Sequence, residues 1–277
     1  SGKDLYRLMY TSGTTDHPKG VIHQYENFYW KTMDQAVALQ QSARDKLLVV
    51  GPMYHVGGID LPGLGILWMG GSMVIHREFE PEATLQSIQD EQINCAWFAP
   101  VMTNILLNLA NRDCYDVSSL RWCVGGGERT PESRIREFTE FFINSRYIDA
   151  YGLTESFGGD TLMKAGMEIE KIGSTGQAIM HVEVDIRDNE GNTLPCDEDG
   201  EICLRGPKIT NGYWREPTKT KAAFYPENWF RSGDIGHLDK DGFLFLTDRK
   251  KDMIISGGEN IASSEIERVV YQMDEVM

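Results

Sequence analysis

The sequence is poor in cysteine, and its cysteines are not spaced for metal binding. The five cysteines are odd in number and include no Cys-x-x-Cys pair, and the six histidines form no His-Glu-x-x-His pattern. These absences argue against a disulfide framework and against a structural zinc site. They favour a reducing compartment, so we expect a cytoplasmic protein.

Basic residues are also scarce, with 27 Lys and Arg against 42 Asp and Glu, for a net charge of −15. Nucleic acids and anionic membranes bind through surfaces rich in Lys and Arg, so neither is expected as the main partner. The sequence has no apolar run long enough to span a membrane and shows no signal-peptide pattern. Its 277 residues, 41% of them hydrophobic, are enough for more than one domain or subdomain.

Short apolar runs alternate with helical patterns over the first half of the chain. The runs that predict strands are 5–10, 46–51, 72–76, 93–99, 120–126 and 146–152. The segments that predict helices are 26–41, 81–92, 101–110 and 131–143. Strands that alternate with helices predict an α/β subdomain over residues 1–172, layered and with a largely parallel sheet.

The pattern changes after about residue 172. Strands broken by Asn and Gly turns, and a hairpin at 237–248 that turns at Asp241-Gly242, predict a small β-barrel-like subdomain over 173–248. Residues 249–277 are interpreted as a hinge and the truncated start of an α+β C-terminal lid domain. Because the chain begins almost at a strand and stops inside an apparent helix, we expect it to be a piece of a longer protein.

The segment YTSGTTDHPKG, residues 10–20, has almost nothing to bury. It offers hydroxyls, glycine N–H groups and one lysine, which are the donors that a polyphosphate needs. It is not a Walker A loop, because Lys19 stands between Pro18 and Gly20 rather than before Ser or Thr. Its composition alone also fits an ordinary loop.

The order of residues in this segment resembles the phosphate loop of the adenylate-forming superfamily, which includes acyl-CoA synthetases, peptide-synthetase adenylation domains and firefly-type luciferases. Later motifs of that family are resembled, in the same order, by YGLTES at 151–156, GEICLRGPKITNGYW at 200–214 and WFRSGDIGHLDKDGFLFLTDRKKDMIISGGENI at 229–261. The resemblance covers essentially the whole chain. It implies a ligase that uses ATP and Mg²⁺ to join a carboxylic acid to AMP, and then passes the acyl group to CoA.

The resemblance also implies a nucleotide site built from backbone N–H groups, hydroxyls, a lysine and acidic side chains. Its phosphate side would comprise Thr11, Ser12, Gly13, Thr14, Thr15, Lys19 and Thr154. Its adenine and ribose side would comprise Gly126, Gly127, Glu128, Asp149, Ala150, Tyr151, Gly152, Asp234 and Arg249. Tyr151 would stack on adenine, and Asp234 would accept both ribose hydroxyls.

Four residues are implied in the chemistry itself. Lys19 would supply a point charge to the phosphates, and Thr154 would bond the α-phosphate. Glu155 would hold Mg²⁺, for which one carboxylate beside phosphate oxygens suffices. His55, in GPMYHVGGID at 51–60, would lie at the acyl pocket.

For CoA, the resemblance implies contacts with two glycines. Gly257 and Gly258 would line the pantetheine tunnel, where glycine lets a ligand approach the backbone closely.

The acid is less determined by these motifs. Members that activate amino acids usually carry an aspartate near the His55 segment, and the flanks of Asp60 do not match, so we expect a fatty or aromatic acid. A carrier-protein-loading or luciferase-like adenylating enzyme stays open, as do a non-catalytic nucleotide-binding remnant and a homodimer. Asp16 replaces the usual glycine, and the family's C-terminal lysine is absent. We therefore expect the parent protein to be the ligase and residues 1–277 alone to be nearly inactive.

Overall fold

The computed structural model describes residues 1–11, 18–127, 130–249, 254–256, 259–261 and 270. Its strands are β1 (Leu5–Thr11), β2 (Lys19–Gln24), β3 (Lys46–Val49), β4 (Ser72–Ile75), β5 (Cys95–Phe98), β6 (Trp122–Gly126), β7 (Arg146–Tyr151), β8 (Thr161–Leu162), β9 (Gln177–Ala178), β10 (Glu183–Arg187), β11 (Gly200–Arg205), β12 (Phe224–Tyr225), β13 (Trp229–Leu238), β14 (Leu244–Arg249), β15 (Ile254–Ser256) and β16 (Glu259–Ile261). Its α-helices are α1 (Tyr25–Ala38), α2 (Gly65–Trp68), α3 (Pro81–Asp90), α4 (Pro100–Leu107), α5 (Glu132–Phe141) and α6 (Pro217–Ala222).

A seven-stranded sheet of order β4-β3-β5-β6-β7-β8-β9 organises the first part of the described chain. Strands β3, β4, β5, β6 and β7 are parallel to one another, whereas β8 pairs antiparallel with β7, and β9 pairs antiparallel with β8. All four residues of β5 are buried: Cys95 and Trp97 belong to one core cluster, and Ala96 and Phe98 to another. This alternation places a hydrophobic core on each face of the sheet. The predicted α/β class with a largely parallel sheet is confirmed.

The strand predicted at 5–10 forms, but it lies outside the parallel sheet. Strand β1 pairs with β2 as an antiparallel hairpin, in which Thr11 is the register partner of Lys19. The predicted phosphate segment therefore joins two strands, and Lys19 is the first residue of β2. No strand is predicted at 19–24 from the local pattern, because Pro-Lys-Gly is typical of turns.

A second, antiparallel sheet contains β10, β11, β13 and β12 in that order, with β14 also paired to β13. The predicted hairpin between β13 and β14 is confirmed, with Gly242 at a φ of +79° in its turn. The Asp239 carboxylate accepts the N–H groups of Asp241 and Phe243, which closes the turn. Sheet membership changes between β9 and β10, and the exact domain boundary near residue 172 stays a prediction.

Helix α1 packs with a polar face inward. Its Asn27, Lys31 and Gln35 are buried, and each donates to one or more backbone carbonyls of other segments. The acceptors are the carbonyls of residues 207 and 209, of Asp60 and of Gly158. Buried carbonyls need such partners, so α1 holds together loops from distant parts of the sequence. No helix in the described part of the chain is both long and apolar enough to cross a membrane.

Candidate active site

The predicted adenine-side residues lie at the carboxyl ends of two neighbouring parallel strands. Gly126 ends β6 and is the register partner of Ala150, next to the end of β7. A side chain at Gly126 would meet the Ala150 carbonyl at 2.7 Å, and Gly127 has a φ of +98° that favours glycine. The carboxyl ends of parallel strands are where open α/β sheets bind ligands. Gly126, Gly127 and residues 149–152 are therefore brought to one edge of the sheet.

The predicted magnesium residue lies in a short helical turn, Thr154–Ser156, directly after β7. Gly152 leads into this turn, and a side chain there would lie 2.2 Å from the Gly159 nitrogen. The half-buried Glu155 accepts a hydrogen bond at Oε1 from the Tyr213 hydroxyl at 2.8 Å. Its backbone carbonyl accepts the N–H of Thr210 at 2.7 Å. Side chain and backbone of Glu155 are thus both held by the segment that follows β11.

Lys19 reaches the same tyrosine from the other side. Its Nζ lies 4.4 Å from the centre of the Tyr213 ring, an attractive cation–π contact. Burial, and then the charge of Glu155, raise the pKa of Tyr213 above its usual value, so the hydroxyl stays a donor at neutral pH. The structure therefore joins the predicted phosphate cation and the predicted metal carboxylate through one residue. Tyr213 lies within GEICLRGPKITNGYW, but no role is predicted for it from that motif.

The predicted ribose carboxylate is buried beside the predicted adenine tyrosine. The Tyr151 hydroxyl donates to Asp234 Oδ2 at 2.9 Å. Burial, and then the charge of Asp234, raise the pKa of Tyr151 well above its usual value. Tyr151 therefore orients Asp234, a role that the sequence analysis did not assign to it. Asp234 is also the register partner of Arg249, whose side chain lies outside the described part of the structure.

His55 lies on an exposed turn after β3. It caps the helical segment Val56–Leu64, because its Nδ1 accepts the N–H of Gly57 at 3.2 Å. A side chain at Gly57 would lie 2.5 Å from the Trp97 ring, so this segment packs its backbone against β5. His55 thus lies at the same sheet edge as the other predicted residues, and its imidazole is accessible.

Buried Asp60, in the same segment, is engaged within the protein. Arg7 on β1 pairs with both of its carboxylate oxygens, with Nη1 to Oδ1 at 3.1 Å. The Asp60 carbonyl accepts from Lys31. Because Arg7, Lys31 and Asp60 are distant in sequence, no local motif indicates this cluster.

Several predicted residues cannot be placed by this structure. Those outside the described residues are Ser12, Gly13, Thr14, Thr15, Glu128, Gly257 and Gly258. Within the described part, no group of three or more His, Cys, Asp or Glu side chains is arranged to hold a metal ion.

Comparison with protein families places these residues in context. The profile described as AMP-binding enzyme matches residues 1–214. The chain is 33% identical to a feruloyl-CoA synthase of an Amycolatopsis species, over 97% of this chain and 54% of that protein. It is 34% identical to the long-chain-fatty-acid–CoA ligase FadD13 of Mycobacterium tuberculosis, over 97% of this chain and 52% of that protein. The chain spans about half the length of these curated relatives.

Solved structures show the same fold. The O-succinylbenzoate coenzyme A synthetase MenE of Bacillus subtilis in complex with AMP superposes with a TM-score of 0.90 at 31% identity, over 99% of this chain and 55% of that chain. The same protein with ATP and a magnesium ion gives a TM-score of 0.89 at 31% identity, over 98% of this chain and 55% of that chain.

Proposed function

The chain belongs to the AMP-binding enzyme family, and on that premise we propose that the protein of which it is part is an AMP-forming acid–CoA ligase. It joins a carboxylic acid to the α-phosphate of ATP, releasing pyrophosphate, and the thiol of CoA then takes the acyl group and releases AMP. The observation that carries this proposal is the contact of Lys19 and Glu155 through Tyr213. A cation and a carboxylate held by the same tyrosine, beside the carboxyl end of β7, suit a magnesium nucleotide.

Each described residue has a distinct task in this reaction. Lys19 attracts the phosphate oxygens, and Thr154 bonds the α-phosphate as the acid attacks it. Asp234, oriented by Tyr151, accepts the ribose hydroxyls and fixes the nucleotide in line with the acid. Positioning of this kind converts a bimolecular step into an effectively unimolecular one.

Glu155 is the residue that would hold magnesium. When bound, the ion neutralises phosphate charge and makes pyrophosphate a better leaving group. The Tyr213 hydroxyl donates to Oε1 of Glu155 and so occupies one of the two carboxylate oxygens. The hydrogen bond also restricts the rotamers of Glu155, which favours a pre-oriented ligand.

The proposed acid is a fatty or aromatic carboxylic acid without an α-ammonium group. The support for this choice is the state of Asp60, the acid nearest to His55 in the sequence. Its carboxylate is buried and paired with the Arg7 guanidinium, so it already has a cationic partner within the protein. Binding an ammonium group there would require breaking a buried ion pair, which is costly.

Pyrophosphate release by the full-length protein tests the proposal. The assay uses Mg-ATP with a panel of fatty, aryl and α-amino acids, with and without CoA. We expect one fatty or aryl class to drive release and CoA to raise turnover. Release without a CoA effect would favour a carrier-protein-loading or luciferase-like enzyme. No release with any acid, together with no Mg-ATP binding, would leave a non-catalytic remnant.

A matched pair of substitutions ties the activity to the site. Glu155→Gln removes the proposed metal carboxylate, while Glu91→Gln makes the same change at an exposed position at the end of α3. We expect Glu155→Gln to lower turnover by about 100-fold, consistent with the loss of several kcal/mol of charge stabilisation. Glu91→Gln should behave like the wild type, and equal activity of both variants would contradict the assignment.

A further inference from the structure

The peptide groups before and after Glu155 are both anchored by elements outside its turn. The carbonyl of Thr154 lies 2.7 Å from Nε2 of His23, a fully buried residue on β2. The carbonyl of Glu155 accepts the N–H of Thr210 at 2.7 Å. The N–H of Phe157 closes the turn on the Thr154 carbonyl at 3.2 Å. His23 is therefore the only side chain among these partners.

Arg7 determines which nitrogen of His23 carries the proton. Its Nε lies 3.0 Å from His23 Nδ1, and a guanidinium N–H can only donate. Nδ1 must then be the unprotonated acceptor, so Nε2 carries the hydrogen and donates it to Thr154. If both nitrogens of the ring were protonated, the Nδ1–H of His23 would face the Nε–H of Arg7, and neither group could accept a hydrogen bond from the other. In agreement, burial, and then the charge of Arg7, lower the pKa of His23 to about 3.

Both side chains are fixed in place by further contacts. Asp60 holds the Arg7 guanidinium, which also lies 4.8 Å from the centre of the Phe157 ring. The His23 ring stacks on Phe157 with centroids 3.7 Å apart and planes inclined by 23°. A continuous chain of contacts thus runs from Asp60, in the segment capped by His55, to the turn that carries Glu155.

We propose that His23 is a positioning residue for the Thr154–Glu155 turn. Arg7 holds it in one tautomer, in which it donates a single hydrogen bond to the Thr154 carbonyl. This bond orients the peptide group between Thr154, whose hydroxyl is proposed to bond the α-phosphate, and Glu155, whose carboxylate is proposed to hold magnesium. The kinetic consequence rests on the function proposed above, while the structural consequence does not. A histidine that only filled space would be replaceable by any side chain of similar volume.

The test compares two substitutions in the full-length protein. His23→Gln keeps one acceptor for Arg7 and one donor for Thr154, whereas His23→Leu keeps volume and loses both. His76→Leu is the control, because it removes a different histidine hydrogen bond. In the wild type, His76 Nε2 lies 2.8 Å from Ser87 Oγ, just after β4. For each variant, kcat and KM for Mg-ATP are measured by pyrophosphate release, and a crystal structure is determined.

We expect His23→Leu to lose about 10- to 100-fold in kcat/KM for Mg-ATP, the cost of one buried, poorly replaced hydrogen bond. His23→Gln should stay within about threefold of the wild type, since rescue requires only the donor and acceptor. The Thr154–Glu155 peptide should be displaced in the His23→Leu crystal structure and unchanged in the His23→Gln structure. Nitrogen-15 spectra of histidine-labelled wild type should show only the Nε2–H tautomer of His23.

Equal activity of the Leu and Gln variants, with superimposable turns, would overturn the inference, and so would an Nδ1–H tautomer. Failure of the wild type to release pyrophosphate with any acid would instead remove the proposed function. In that case the two crystal structures decide the inference without reference to catalysis: a turn displaced only in His23→Leu supports it, and an unmoved turn in both refutes it.

Discussion

Asp234 and Arg249 stand directly opposite each other on adjacent antiparallel strands, as register partners of β13 and β14. Both residues are predicted to contact the ribose, from RSGD for Asp234 and from TDRKKD for Arg249. Their pairing is consistent with that shared assignment, because register partners on antiparallel strands have Cα atoms only about 4.5–5.5 Å apart. The Tyr151 hydroxyl ties Asp234 in turn to the end of β7. The second sheet is thereby linked to the carboxyl edge of the first.

Removal of the Asp234 carboxylate should weaken nucleotide binding only through the ribose. We expect Asp234→Ala to reduce ATP affinity about 10- to 100-fold, since hydrogen bonds to a charged group contribute about 1.5–3 kcal/mol. Calorimetric titration with ATP and with 2′,3′-dideoxy-ATP measures this. The wild type should prefer ATP, and the variant should bind both nucleotides equally. A variant that still discriminates between them would show that another group reads the ribose.

Tyr213→Phe should alter the magnesium requirement more than the affinity for the acid. The change keeps the ring beneath Lys19 and removes the hydroxyl that holds Glu155. We expect the Mg²⁺ concentration for half-maximal pyrophosphate release to rise about tenfold, since positioning partners of metal ligands typically contribute 10- to 100-fold. Tyr225→Phe is the control, as its hydroxyl contacts a backbone carbonyl in the second sheet. An unchanged Mg²⁺ dependence in Tyr213→Phe would argue against Glu155 as the metal ligand.

His55 has a structural role as a cap, and its proposed acyl role must be separated from it. Asn is a good helix-capping residue, so His55→Asn should preserve the bond to the Gly57 N–H, while His55→Ala removes it. If the imidazole acts on the acid, both variants should raise the KM for the acid by about tenfold, the effect of about 1.4 kcal/mol. Affinity for Mg-ATP should be unchanged in both. A raised KM for the acid in His55→Ala, with an unchanged KM in His55→Asn, would show that His55 acts only as a helix cap.

The parallel sheet could be predicted because its strands are local signals. β5 and β6 are short apolar runs bounded by turns, and burial on both faces is what such runs indicate. The segment Val56–Leu64 could not, since Gly57, Gly58 and Pro62 normally interrupt helices. It forms two helical pieces that meet at a kink at Leu61, and Gly57 allows the backbone to pack against Trp97. Tertiary contact, absent from a local pattern, decides its conformation.

The same distinction between local signals and tertiary contacts applies to the candidate site. Gly126, Thr154 and Glu155 could be predicted as site residues because they lie in contiguous motifs of distinctive spacing, and their roles stay predictions. The partners that orient them could not be predicted in this way, since Arg7 is 16 residues from His23 and 53 from Asp60. Within LYRLMY, Arg7 looks like the polar position of an ordinary strand. Only the fold shows that its side chain lies against a buried carboxylate.

Lys31 should make stability depend on pH in a defined direction. Burial, chiefly, lowers its pKa from 10.5 to about 7, while the negative charge of Asp60 opposes that shift. Between about pH 7 and 10.5 the unfolded chain therefore binds more protons than the folded one. The contribution of Lys31 to stability rises with pH over this window, by at most about 1.4 kcal/mol per unit. Below about pH 7 both states are protonated, and the cost of the buried charge is fully present.

Lys31→Met removes this dependence while keeping an unbranched side chain. The free energy of unfolding of the full-length protein, measured in urea at pH 6.5 and 9.5, should favour the variant over the wild type more strongly at pH 6.5. Lys3→Met, at an exposed position, should show no such change. The difference between wild type and Lys31→Met isolates this one group, because other titrating residues contribute equally to both proteins. A difference that is equal at both pH values would mean that Lys31 stays charged in the folded protein, with Asp60 compensating its burial.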